Sequence, residues 1–176
     1  MKLATFVHNG VEQAGVVVGD RVLPTAYSSV LALIQGGSNA LAEAKNIAIG
    51  AGPSSGYFLE EVMLRAPIPA PLRNVFCVGR NYKLHIEEGA RARGVEPDYP
   101  KVPEFFTKAT NTVCGPNDEV RLPNITQQLD YEVELAFVIG KSGRDIKAQD
   151  AHKHIFGYMV LNDVTARDLQ RKHGQW

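Results

Sequence analysis

The sequence predicts an α+β chain richer in strand than in helix, and three observations carry that reading. Residues 130–140, Asp-Tyr-Glu-Val-Glu-Leu-Ala-Phe-Val-Ile-Gly, alternate polar and apolar before a short apolar run, which is the period of a strand. Near the start, two strand-like runs at 3–7 and 12–18 flank Asn9-Gly10, a strong hairpin signal. Helical spacing recurs at 28–34, 41–48 and 166–172, and residues 81–93 read as a helix or an ordered loop.

Taken in order, the hairpin is followed by a second turn at Gly19-Asp20-Arg21 and by two helices separated at Gly36-Gly37. Nothing in residues 1–67 points to chemistry, and they read as a small N-terminal α/β module. Ala66-Pro67-Ile68-Pro69-Ala70-Pro71 is an extended connector, because proline fixes φ and removes a donor. A second domain is then expected over 72–176. It opens with a short apolar strand at 74–78, and 96–103 is irregular and proline-rich. Strands are expected at 104–107 and 119–122, then the acidic strand, a short helix at 148–154 and a buried strand at 155–162.

A chain of 176 residues that is 44% hydrophobic can bury a core. Nineteen basic residues balance nineteen acidic ones, and no basic run is interleaved with aromatics, so nucleic acid is not an expected partner. No apolar stretch is long enough to span a bilayer, and the first ten residues carry no signal-peptide core, so a cytoplasmic location is expected. Cys77 and Cys114 lack CxxC spacing and read as small buried hydrophobes.

Four segments carry polar residues that packing alone does not require. In the acidic strand, Asp130, Glu132 and Glu134 should share one face, about 6.5–7 Å apart. Like charges that close call for compensation by a hard divalent cation, or else mark a solvated edge strand. In Gly79-Arg80-Asn81-Tyr82-Lys83-Leu84-His85-Ile86-Glu87-Glu88, His85 and Glu88 stand at i, i+3. A carboxylate there can orient an imidazole as a general base, or the two form an ordinary surface pair. Lys108 closes the aromatic strand Phe105-Phe106-Thr107, where it could hold a carboxylate or simply reach water. Asp163 lies between a strand and a helical turn, placed as a site residue or an N-cap, and Arg167 and Gln170 follow at i, i+3, able to face one developing negative charge.

The ordered set Cys-Val-Gly-Arg-Asn-Tyr-x-x-His, Phe-Phe-x-Lys, Asp-Tyr-Glu-Val-Glu-Leu, Val-Ile-Gly-Lys and Asn-Asp-Val-Thr-Ala-Arg-Asp-x-Gln closely resembles the fumarylacetoacetate hydrolase family over about 72–176. The resemblance implies a β-rich α+β fold, a mixed β-sandwich roll, assembled as a homodimer. It implies that Glu132, Glu134 and Asp163 bind Mg²⁺ or Mn²⁺, with Asp130 beside them and not a ligand. It implies that His85 and Glu88 are the dyad that activates water. Arg80, Tyr82, Lys108, Arg167 and Gln170 would contact a small oxo-acid substrate.

The activity so implied is metal-dependent hydrolysis of a C–C bond in a β-diketo or 2-oxo acid such as an acylpyruvate. Isomerisation or decarboxylation of 2-oxo or hydroxymuconate-type diacids, in aromatic catabolism, is the alternative, since these reactions share an enolate stabilised by the cation. A reading from another class is a non-catalytic chain that keeps only the fold and the carboxylates. By resemblance a lysine-bearing segment and further strands should follow Trp176, so the roll is expected to be C-terminally incomplete here and the chain by itself unstable or inactive.

Overall fold

The computed structural model describes residues 1–174. The chain divides into two compact units: one joins Met1–Ile68 to the chain from Gly115 onward, and the other is Pro69–Cys114.

The first unit begins with β1 (Lys2–His8) and β2 (Val11–Val18), antiparallel with His8 opposite Val11. Asn9 and Gly10 both take positive φ, 49° and 78°, the backbone that a two-residue hairpin with the right twist demands. β3 (Arg21–Pro24), β4 (Tyr57–Phe58) and β5 (Met63–Leu64) complete a five-stranded sheet in the order β4-β3-β2-β1-β5. Between β3 and β4 run α1 (Val30–Gln35) and α2 (Gly37–Ile49), and the Ser29 side chain caps α1 by accepting from Ala32 N–H at 3.1 Å.

One face of this sheet packs on the helices. Ala14, Val16, Val30, Leu33, Ala40 and Ala44 form the buried cluster, and Phe156 from the later part of the chain lies against it. Gly15 is required by close approach: a Cβ there would stand 2.4 Å from Val22 Cγ2 and 2.8 Å from the Phe6 ring. The buried Thr5 hydroxyl donates to Pro67 C=O at 2.8 Å and accepts from Val30 N–H at 3.1 Å, tying sheet, helix and connector together.

The second unit holds β6 (Val75–Gly79), α3 (Lys83–Arg93) and β7 (Glu104–Lys108), with β6 and β7 antiparallel. Gly94, at φ 67°, ends α3 in the left-handed conformation typical of a helix C-terminus. Cys77 is half-buried and Cys114 exposed, against the expectation that both are buried, because Cys114 sits in open coil before the turn at Gly115.

After Gly115 the chain returns to the first unit with β8 (Leu129–Asp130), β9 (Val133–Ile139), β10 (Ile155–Asn162), β11 (Thr165–Ala166) and α4 (Arg167–His173). Two expectations are corrected here. Residues 119–122 form no strand: Val120 and Leu122 are exposed and Pro123, which has no N–H to give a ladder, follows at once. The acidic strand is also not continuous. Asp130 belongs to β8, which pairs with β11, whereas Glu134 belongs to β9, which pairs with β10, and the chain steps between the two ladders at Tyr131 and Glu132.

The β9–β10 pair is two-faced. Val133, Leu135, Phe137 and Ile139 of β9, with Tyr158 and Val160 of β10, are all exposed, Val160 at 78%. Glu134, Ala136 and Val138 alternate with them on the half-buried side. Among the described residues no helix is long and apolar enough to cross a membrane.

Candidate active site

The expected site residues fall in both units. Glu132, Glu134, Asp163, Arg167 and Gln170 lie in the first; Arg80, Tyr82, His85, Glu88 and Lys108 lie in the second.

In the first unit, register does the placing. Leu161 pairs with Glu134 and Asn162 with Val133, so the end of β10 lies beside the start of β9. Past the ladder, Asp163 N–H donates to Glu132 C=O at 2.7 Å, and the Asn162 side chain accepts from Glu132 N–H at 3.1 Å. β11 then pairs with β8, Thr165 opposite Asp130, and delivers Arg167 to the same crossing. Asp163 is buried at 4% exposure, and Glu132 and Glu134 are half-buried.

Arg167 is the hub of this crossing. Its Nε donates to Asp130 Oδ2 at 2.9 Å, its Nη2 pairs with Glu132 Oε1, and its Nη1 donates to Gln170 Oε1 at 3.2 Å. The second oxygen of Glu132 lies 3.2 Å from the Thr165 hydroxyl. The hydrogen bond from Arg167 is the main reason the Asp130 carboxyl is held below its ordinary range. For Arg167 burial is the largest single influence and acts downward, but the bonds to Asp130 and Glu132 together outweigh it and leave its pKa raised.

Sequence reasoning missed the brace beneath Arg167. Asp168 accepts from the Thr126 hydroxyl at 2.5 Å, from Gln127 N–H at 3.0 Å and from Leu169 N–H at 2.9 Å. These donors, the Thr126 hydroxyl first, hold its carboxyl below the usual carboxylate range. Thr126 is 1% exposed, and its oxygen accepts from Gln128 N–H at 3.1 Å, while Arg167 N–H donates to Gln128 C=O at 2.8 Å. An acid in the first turn of α4 was the one local signal available; its partner lies 42 residues away.

In the second unit, Arg80 is turned inward on structure. It takes a positive φ of 48°, grips Glu104 through Nε at 2.9 Å and Nη2 at 2.6 Å, and reaches Asp98 C=O at 3.3 Å. The hydrogen bond to Arg80 is the main cause of the lowered pKa of Glu104. Tyr82 stands at the N-terminal boundary of α3. His85 and Glu88 are both exposed on α3, and no hydrogen bond or ion pair joins them among the described residues. Their neighbour Glu87 instead accepts from the Tyr99 hydroxyl at 2.8 Å and so pins the irregular segment to the helix. Lys108 closes β7 and is half-buried. An open depression in this unit is lined by Arg80, Asn81, Lys83, Ile86, Tyr99 and Pro100.

Mg²⁺ and Mn²⁺ are hard ions that prefer oxygen donors. The donor chemistry at the first crossing suits them: three carboxylates on adjoining backbone, one of them buried. The side chains themselves are not gathered, and among the described residues no three His, Cys, Asp or Glu groups close in on one point.

The family profile described as fumarylacetoacetate (FAA) hydrolase C-terminal matches residues 74–176. A Bacillus subtilis protein named oxaloacetate tautomerase YisK is 44% identical over 161 residues, covering 88% of this chain and 52% of that protein. The solved structure of a fumarylacetoacetate hydrolase from psychrophilic Exiguobacterium antarcticum superposes with TM-score 0.73 and 36% identity, over 99% of this chain and 60% of that one. A 5-carboxymethyl-2-hydroxymuconate delta-isomerase from Mycobacterium smegmatis gives TM-score 0.70 and 29% identity, over 100% of this chain and 60% of that one. The chain thus spans about half the length of the curated relative and three fifths of the solved structures. With this profile matching more than half of the chain, and with the superposition on solved structures over nearly its whole length, the chain belongs to the fumarylacetoacetate hydrolase family, whose members are enzymes.

Proposed function

We infer that the protein acts on a 2-oxo dicarboxylic acid by moving a proton between carbon and oxygen, as a divalent-cation-dependent tautomerase or isomerase. The observation that carries this is that the backbone brings Glu132, Asp163 and Arg167 to one strand crossing, with Glu134 two residues along, although the carboxylates are not gathered on one point. Such a crossing can handle both a cation and an anionic substrate.

Glu132, Glu134 and Asp163 would hold Mg²⁺ or Mn²⁺, which when bound supplies Lewis-acid polarisation of a 2-oxo group. Arg167, fully charged at any working pH, offers donors to a substrate carboxylate, and Gln170 orients that guanidinium through its side-chain oxygen. In the second unit, Lys108 is the candidate cation for a substrate carboxylate, as the family resemblance implies. His85 is the candidate to carry the proton, with Glu88 one helical turn away to set its orientation. A small oxo acid as substrate and a cytoplasmic homodimer complete the proposal.

Hydrolysis of a C–C bond is the second reading, favoured by the same His85 and Glu88, since a base that takes a proton from carbon can also take one from water. Incubating the protein with oxaloacetate, an acylpyruvate and a hydroxymuconate-type diacid, with Mg²⁺ and with EDTA, separates the two. Faster enol–keto exchange without release of a smaller acid supports the first reading, and release of pyruvate together with the matching carboxylic acid from the acylpyruvate supports the second. If added Mg²⁺ changes none of these rates after EDTA treatment, the cation-dependent proposal fails.

A further inference from the structure

We propose that Thr126 and Asp168 are positioning residues for substrate binding: together they clamp residues 126–130, and that one segment aims the Arg167 guanidinium by holding both its backbone and its side chain. This deepens the reading above, in which Arg167 meets a substrate carboxylate, and rests on it.

Arg167 has donors to give. A guanidinium carries five N–H groups. Among the described residues, Asp130 takes the proton on Nε, Glu132 one on Nη2 and Gln170 one on Nη1, which leaves one N–H on each Nη. Hydrogen bonds weaken as they depart from linear, so turning the guanidinium changes how well a substrate carboxylate is held.

What aims the guanidinium lies on one stretch of chain. Arg167 N–H donates to Gln128 C=O at 2.8 Å, Leu129 and Asp130 pair with Ala166 and Thr165, and Asp130 Oδ2 accepts from Arg167 Nε at 2.9 Å. Residues 128–130 thereby hold Arg167 at its root and near its tip. The ladder alone is a weak mount, because β8 and β11 are two residues each.

The clamp supplies the rest. Asp168 Oδ1 accepts from the Thr126 hydroxyl at 2.5 Å and its Oδ2 from Gln127 N–H at 3.0 Å, while the Thr126 oxygen accepts from Gln128 N–H at 3.1 Å. Arg171 adds a bond from Nη2 to Gln128 Oε1. Thr126 is buried, so bulk water is shut off from its bonds and does not replace the hydroxyl once it is removed. Loss of that hydroxyl strands Gln128 N–H and loosens the residue whose carbonyl holds the Arg167 backbone.

The test is steady-state turnover, with Mg²⁺, of whichever of the three acids named above reacts fastest, by wild type, Thr126→Val, Thr126→Ser, Asp168→Asn and Arg167→Lys. Thr126→Val and Asp168→Asn should each raise KM about threefold or more and leave kcat within about twofold of wild type, because binding is weakened while proton transfer is untouched. Asp168→Asn puts an N–H₂ group where one accepting oxygen stood, and it decides the matter if the valine variant does not fold. Thr126→Ser, which keeps the hydroxyl, should return KM to the wild-type value. A lower kcat at unchanged KM is what simple loss of folded protein gives, and it overturns the positioning role. A serine variant with KM as high as the valine variant assigns the effect to the methyl and overturns it too. Unchanged KM in both clamp variants, with KM raised in Arg167→Lys, overturns the clamp alone and leaves the reading of Arg167 standing. Unchanged KM in Arg167→Lys as well, or no turnover of any of the acids by wild type, overturns that reading and the clamp together.

Discussion

Thr126→Val is the sharpest probe of the brace that sets Arg167. Valine keeps the shape of threonine and removes only the hydroxyl. Thr126 is 1% exposed, and its hydroxyl donates to Asp168 at 2.5 Å and accepts from Gln128 N–H at 3.1 Å. A hydrogen bond to a charged group contributes ~1.5–3 kcal/mol and a neutral one ~0.5–1.5 kcal/mol; since Asp168 keeps other donors, a net loss of about 2 kcal/mol is expected. Urea unfolding at neutral pH measures it. The pH dependence supplies a second check. The carboxyl of Asp168 is depressed in the folded state, first by Thr126, so its contribution is complete above the unfolded value near 3.8 and is lost as pH falls through the lower folded value. The gap between wild type and variant should therefore narrow once pH drops below that unfolded value. A difference under about 0.5 kcal/mol at neutral pH, or one that persists unchanged in acid, refutes the brace.

Gly15→Ala should destabilise the chain by about 1–3 kcal/mol or more, because the added methyl collides with Val22 and Phe6 between two paired strands, and thermal melting will show it. The exposed apolar face of β9 and β10 should drive concentration-dependent association of the isolated chain; Val160→Asp should shift sedimentation toward monomer, and an unchanged profile would count against that face. His85→Ala should slow turnover of an accepted oxo acid by ~10²–10⁴-fold while leaving circular dichroism unchanged, since His85 is exposed; an unaltered rate removes it from the mechanism.

What was legible in the sequence was local. Asn9-Gly10 makes its turn with two positive φ values, as a tight hairpin requires, while residues 81–93, which read as a helix or an ordered loop, hold the helix Lys83–Arg93. The motif order was enough for the family, because five short signals in sequence leave few other assignments. Misreadings came where propensity met context. The run at 119–122 has strand-like residues but no partner strand, and a strand without a ladder does not persist.

The acids were legible as residues and not as an arrangement. Period two put Asp130, Glu132 and Glu134 on one strand; the chain instead changes ladders between them. No local pattern tells that Asp130 belongs to Arg167, 37 residues away, or that Asp168 braces a buried threonine.

The amino-acid order alone determined the turns, the helices and which residue types are available for chemistry, since these follow from backbone preference and side-chain identity within a few positions. Tertiary structure decided the partners. Whether a carboxylate meets a guanidinium, a hydroxyl or a cation depends on which strands lie side by side, and that register is set by packing over the whole chain.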